Sequence, residues 1–220
     1  MLLIRSLSRR VLVLQRKFSR VDLSRPRLHD VHGTPLLVLP HVFDGVLIRT
    51  GVVLVETLKD LDLQNARVLD LGCGSGIGAV FAAQRGAYVI ASDLNPEAAR
   101  NTKLNALLSR HEQRIETRGG DLFETVRGER FDLILFNPPY YYGAPRDGYD
   151  AAWRSRDSFE RFLEQFPNYL TPNGRARIVL STDGEIEPVL SRATHLKTEI
   201  VRRRDLWNEI LTVYDLHPKR

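Results

Sequence analysis

Val68-Leu69-Asp70-Leu71-Gly72-Cys73-Gly74-Ser75-Gly76 is an apolar strand that runs into a glycine-rich turn. Glycines at 72, 74 and 76 permit the sharp backbone geometry and close ligand approach of a strand-to-helix turn. Outward from it the chain alternates regularly. Residues 76–85 read as a helix stopped by Gly86, 88–93 as a strand and 96–108 as a helix. That last helix has Asn95 as its cap and Pro96 at its first position, where a missing N–H costs nothing. Residues 115–121 and 131–137 read as strands, 158–169 as a helix, and Pro172-Asn173-Gly174 as a turn before a strand over 177–180. Such alternation implies an α/β fold, a doubly wound and mostly parallel sheet with helices on both faces. The last forty residues differ. Two extended runs, 196–203 and 210–216, flank Trp207-Asn208 and predict a C-terminal hairpin that adds an antiparallel edge.

The chain has 220 residues, 43% hydrophobic and 27% charged, which fits one globular domain with a continuous core. No apolar run approaches the roughly eighteen residues of a membrane span, so no membrane partner is expected. The single cysteine, Cys73, excludes an internal disulfide and a cysteine zinc site; it fits a reducing compartment, hence the cytoplasm. Six histidines are scattered without ligand spacing, and no metal site is expected. The net charge of +5 is unevenly placed. Residues 1–28 carry eight basic residues against Asp22, which leaves a net −2 for the rest. The body is near neutral, which argues against a nucleic-acid-binding surface over the whole protein.

Within the basic segment Leu3, Leu7, Val11, Leu14 and Phe18 recur at helical spacing. Three readings stay open: an amphipathic helix docked on the body, an arginine-rich arm gripping RNA or an acidic partner, and a mitochondrial transit peptide over residues 1–20. Residues 36–39 read as a short strand ending at Pro40, and 50–61 as a helix leading to the core. The expected organisation is an N-terminal extension over 1–45, a basic helix plus a strand, and one domain over 46–220. Oligomeric state has no signature in the sequence.

The glycine spacing is G-x-G-x-G. A nicotinamide-dinucleotide fingerprint would place its third glycine at 77, where isoleucine stands. Three acids instead punctuate successive strands: Asp70 before the glycines, Asp93 at the end of the next strand, and Asp121 after the third. Carboxylates at strand C-termini suit ribose and base recognition. On these residues, over 45–215, the chain resembles the class I S-adenosylmethionine-dependent methyltransferases. The resemblance implies a Rossmann-like sheet of seven strands and S-adenosyl-L-methionine as cofactor. It assigns Asp70, Gly72, Gly74 and Gly76 to the methionine part, Asp93 with Leu94 to the ribose, and Asp121 with Leu122 to the adenine. Thr50 also enters the cofactor site by this resemblance. Cys73 inside the turn reads as a small filler rather than a nucleophile.

Asn137-Pro138-Pro139-Tyr140 ends the strand 131–137. An amide or aromatic amine is a poor nucleophile because its lone pair is delocalised. Two acceptors, the Asn137 side-chain oxygen and the Pro138 carbonyl, can take both N–H donors and fix the group. Proline stiffens the turn, and Tyr140 can stack on a flat amide or base. Asn137 also borders the cofactor. The tetrapeptide resembles that of the HemK-type glutamine methyltransferases and of the adenine-N6 and guanine-N2 nucleic-acid enzymes. The aromatic segment after it, with Pro139, Tyr141, Tyr142, Trp153 and Arg154, is expected to form a loop over the acceptor. The leading expectation is N-methylation of a protein glutamine in a translation factor. RNA or DNA base methylation and a non-catalytic cofactor-binding scaffold are the alternatives. An intact Asn-Pro-Pro-Tyr argues against the scaffold, which needs no amine clamp.

Overall fold

The computed structural model describes residues 24–219, so the amphipathic segment read over residues 1–20 lies outside the described residues. The first element is one the sequence reading missed. Strand β1 (Arg27–Val31) pairs antiparallel with β2 (Thr34–Val38) across His32 and Gly33, whose φ values of 52° and 80° close a two-residue hairpin. Arg27 therefore belongs to a strand and not to a basic arm. Helix α1 (Thr50–Glu56) is shorter than the expected 50–61, and its chain continues in turns.

The core alternation follows as read: β3 (Arg67–Leu71), α2 (Ile77–Ala83), β4 (Tyr88–Asp93), α3 (Pro96–Leu108), β5 (Ile115–Gly119) and β6 (Phe131–Phe136). Asn95 caps α3 by accepting the Glu97 N–H, with Pro96 in the first turn. Two short strands, β7 (Tyr141–Tyr142) and β8 (Arg154–Ser155), clip together the base of the loop after β6. Helix α4 (Ser158–Gln165) runs into a 3₁₀ turn over Phe166–Tyr169. Strand β9 (Leu170–Ser181), helix α5 (Glu187–Arg192) and the hairpin β10 (Leu196–Asp205) to β11 (Ile210–Pro218) complete the chain. Pro172-Asn173-Gly174 does not precede a strand but bulges out within β9. Phe131 pairs with Leu170 and Leu133 with Arg175, so extra residues on β9 are pushed out of the ladder.

The seven-stranded sheet has the order β10-β11-β9-β6-β3-β4-β5. Strands β9, β6, β3, β4 and β5 run parallel, and β11 runs antiparallel to both β9 and β10. The period of two along β3 sends Val68 to one face and Leu69 and Leu71 to the other. On the first face Val53 and Leu54 of α1, Val80 of α2 and Ala106 of α3 share a core with Val31 and Leu36 of the hairpin. On the second face Phe159 and Phe162 of α4 and Leu190 of α5 pack with Phe123 and Phe136. β10 is the outer edge and carries a bulge between Ile200 and Arg202. Arg202 and Arg204 reach back from it to Glu56 at 2.8 and 2.9 Å.

Two buried amides dock the hairpin. Asn101 and Asn105 stand one turn apart on α3 and are fully buried. Asn101 accepts the Leu39 N–H at 2.7 Å and donates to the Leu37 carbonyl at 2.8 Å. Asn105 accepts the Leu37 N–H at 2.8 Å and donates to the carbonyls of Leu37 and Ser75 at 2.7 and 2.8 Å. One side chain thus ties β2 to the glycine turn. Asn105→Ala strands the Leu37 N–H and the Ser75 carbonyl at once, while the Leu37 carbonyl keeps Asn101, and is expected to cost about 2–3 kcal/mol. Urea unfolding checks this, and a loss below about 0.5 kcal/mol would show that the amide is not the dock.

Candidate active site

The C-terminal ends of β3, β4, β5 and β6 open onto one cavity of about 320 Å³, where open α/β sheets take their ligands. Its floor is the turn after β3. Gly72, Gly74 and Gly76 have φ values of 63°, 53° and 81°. Gly76 is doubly constrained, because an added Cβ would lie 2.7 Å from Thr102 Oγ1 and 2.9 Å from its Cα. Two carboxylates hold this turn. Asp93 Oδ2 accepts the Gly74 N–H at 2.9 Å and Oδ1 accepts the Asn95 N–H at 2.8 Å. Asp70 lies beneath, with Oδ2 accepting the Ala79 N–H at 2.8 Å at the start of α2. Gly78 lets the helix come this close, since a Cβ there would meet Asp70 Oδ1 at 2.5 Å.

Burial pushes the Asp70 carboxyl up to about 7, with the nearby Asp93 charge adding to the shift and the Ala79 N–H opposing it. Burial likewise raises Asp93, against the backbone donors of Asn95, Gly74 and Leu94. Burial drives the Cys73 thiol well above its ordinary range, and the side chain packs beneath the turn with Thr102 Oγ1 at 3.2 Å.

At one end of the cavity Asp121 pairs with Arg161 of α4 at 2.7 Å. The other end is the turn after β6. The Asn137 Nδ2 donates to Thr50 Oγ1 at 3.0 Å, and its Oδ1 accepts from the Tyr140 hydroxyl at 2.8 Å. Tyr140 also donates to the Val179 carbonyl at 3.2 Å. Burial raises the phenol far above its ordinary value, so it stays a donor. The asparagine carboxamide is thereby held from both ends, while a carbonyl oxygen retains a second lone pair.

The loop between β7 and β8 roofs this end. Its hub is Asp150, which the Arg146 guanidinium holds down at about 2. Asp150 bonds Arg146 at 3.2 Å and Arg154 at 3.1 Å. Trp153 meets Phe43 edge-to-face at 5.0 Å between ring centres, which joins the loop to the segment after β2.

Gly72, Gly74, Asp93, Leu94, Asp121, Leu122, Asn137, Pro139 and Arg154 line the cavity. Thr50, Asp70, Gly76, Pro138, Tyr140, Tyr141, Tyr142 and Trp153 stand behind or beside it. The expected stacking of Tyr140 on an acceptor is corrected: the ring is only 7% exposed and points its hydroxyl to Asn137. A buried phenol must find a partner for its O–H, and Asn137 and Val179 supply one. Tyr142 is turned to Glu160 at 2.5 Å and Tyr141 to Asp183 at 3.1 Å. Phe43, Ser92, Arg156 and Arg161 line the cavity without having been singled out. Arg161 had no local signal, because it is simply a polar-face residue of an amphipathic helix. Ser92 was legible in principle as the residue before the strand-end Asp93. Among the described residues no group of three His, Cys, Asp or Glu side chains could hold a metal ion.

The Asp70 shift fixes a pH dependence. A carboxyl whose folded-state value lies near 7, above its ordinary value near 3.8, favours the folded state fully below about pH 4. That contribution is lost as pH rises through about 7, a change on the order of 4 kcal/mol at 1.4 kcal/mol per unit. Asp70→Asn keeps an oxygen for the Ala79 N–H and has no such titration. In urea unfolding of the cofactor-free protein, the variant should therefore gain on the wild type between about pH 4.5 and pH 7.5. Parallel pH profiles would sink the assignment.

Comparison with known proteins agrees with this geometry. The methyltransferase small domain family matches residues 36–207. A Methanocaldococcus jannaschii protein assigned as an N5-glutamine methyltransferase is 32% identical over 170 residues, covering 73% of this chain and 83% of that protein. A tRNA1(Val) (adenine(37)-N6)-methyltransferase of Glaesserella parasuis is 33% identical over 188 residues, covering 83% and 77%. Among solved structures, the T. thermophilus 16S rRNA N2 G1207 methyltransferase in complex with AdoMet and guanosine superimposes with a TM-score of 0.68 at 21% identity. The match takes in 89% of this chain and 50% of that one, and it shows the shared fold. The chain belongs to the methyltransferase small domain family and is an S-adenosylmethionine-dependent methyltransferase of mixed α/β, Rossmann-like fold.

Proposed function

We propose that this methyltransferase acts on the side-chain amide nitrogen of a protein glutamine, in a substrate of the translation-factor kind. The observation that carries transfer to an amide or amine nitrogen is the doubly tethered Asn137 on the cavity wall, between Thr50 and Tyr140, and within that class a relative favours glutamine. The M. jannaschii relative supports it, since most of that protein is matched and its name specifies glutamine N5.

The residues present fit S-adenosylmethionine. Asp93 and Asp121 offer carboxylate oxygens to ribose hydroxyls and an exocyclic amine, and the glycine turn leaves room for the methionine part. Ser92 Oγ is buried without a partner on the same wall, an orphan that a polar ligand can satisfy. When bound, the cofactor supplies a methyl group on a sulfonium, an electrophile that needs no acid to activate it.

The chain's own residues then supply orientation. The second lone pair of Asn137 Oδ1 and the Pro138 carbonyl take the two N–H bonds of the acceptor. Thr50 and Tyr140 prevent the carboxamide from flipping, so oxygen and not NH2 meets the acceptor. Pro138 and Pro139 limit backbone motion and remove competing N–H donors. Because Tyr140 stays protonated, its role is to position Asn137 and not to accept the proton that the nitrogen sheds.

A second reading, transfer to a base nitrogen of RNA, is favoured by the guanidinium groups of Arg154, Arg156 and Arg161 on the cavity wall and by the adenine-N6 relative. Labelling separates the two. Protein incubated with methyl-labelled S-adenosylmethionine and cell extract should yield label that RNase leaves and protease removes; the opposite pattern overturns the glutamine reading. Asn137→Ala should abolish transfer with cofactor affinity within about twofold of wild type. Tyr140→Phe should lower kcat about tenfold, the worth of one lost positioning bond.

A further inference from the structure

Arg161 belongs to a helix that otherwise serves the acceptor side. Helix α4 follows the roof loop directly, and its buried face packs Phe162 against Phe136, next to Asn137, at 4.6 Å between ring centres. The same Phe162 stacks on Phe123, two residues after Asp121, at 6.0 Å. One helix is therefore braced against both the acceptor clamp and the segment after β5.

On the cavity side of that helix, Arg161 Nη2 donates to Asp121 Oδ2 at 2.7 Å, and Nη1 lies 3.7 Å from Asp157 Oδ1. Both partners of the closer pair are about one-third exposed, 34% and 35%, and both line the cavity. Asp121 Oδ1 has no hydrogen-bond partner among the described residues. The backbone turns sharply just afterwards, with Leu122 at φ 45°, and Phe123 anchors that turn against Phe162 and Tyr169. A non-glycine residue holds such a φ only where its surroundings over-determine it.

We infer that Arg161 is a positioning residue for base recognition: it immobilises Asp121 through one carboxylate oxygen and leaves the other as an acceptor that selects an exocyclic amine. The inference rests on the placement of the cofactor's adenine beside Asp121. A carboxylate free to rotate can offer either oxygen or exchange both with water. Locked by a guanidinium, it presents one acceptor in one direction, and a ligand whose amine is replaced by a carbonyl oxygen confronts it with a second acceptor. The ion pair thus acts as discrimination against the oxo analogue more than as binding strength.

Calorimetric titration with S-adenosylhomocysteine and S-inosylhomocysteine tests this without requiring turnover. The wild type should prefer the adenosyl compound by about tenfold or more, the worth of a charge-assisted bond. Arg161→Met should reduce that preference at least about threefold with the thermal midpoint nearly unchanged, and Arg161→Lys, which keeps the charge, should fall between. Full preference in Arg161→Met together with its loss in Asp121→Asn overturns the role of Arg161 and leaves the base beside Asp121. Equal affinity for both compounds in the wild type overturns the placement of the base itself.

Discussion

The structure depends on how a glycine turn that must stay open for a ligand keeps its backbone donors satisfied. Three residues at positive φ cannot enter a helix or a ladder, so their N–H groups need other acceptors. Asp93 supplies one from the end of β4, and Asp70 reaches past the turn to the first turn of α2. Both carboxylates are buried far enough that desolvation raises them. The turn is therefore held by carboxylates whose charge burial disfavours. A cationic ligand in the adjoining cavity would relieve that cost.

Everything else positions this turn relative to Asn137. The sheet brings β3 and β6 side by side, with Leu71 opposite Phe136, so the glycine turn and Asn137 emerge from adjacent strands. On one face Asn105 ties the N-terminal hairpin to Ser75 within the turn. On the other, Phe162 ties Phe123 to Phe136. The spacing between the glycine turn and Asn137 is thus set by packed helices, while the loop that Asp150 gathers hangs outside that frame.

Legibility in the sequence followed locality. β4 and α3 were readable to the residue because Asn95, Pro96 and Gly86 are punctuation whose meaning is set by neighbours along the chain. β1 was hidden because Arg27, His29 and Asp30 leave it without an apolar run, and the Asp44 carboxylate, 2.8 Å from Arg27 and 2.9 Å from His29, lies far along the chain from both. The strand-end acids and Asn137 were singled out because chemistry marks them, and Asp93, Asp121 and Asn137 do line the cavity. The inward turn of Tyr140 was not, since a tyrosine after Pro-Pro carries the same letters whether it faces ligand or core. Arg161 was invisible for a related reason: its partner lies forty residues away in the chain.

The bulge in β10 bears on how the protein survives in a crowded solution. β10 is the last strand of the sheet, and an outer strand offers a row of unsatisfied N–H and C=O groups to any passing β-segment. Ile200 and Val201 would make this one adhesive, being 62% and 39% exposed. The irregularity falls at those two residues, where it breaks the straight template another strand needs. Lys197 and the run Arg202-Arg203-Arg204 flank them with charge that any intruding strand would have to bury. The margin of the sheet farthest from the glycine turn is thereby a poor template for a further strand.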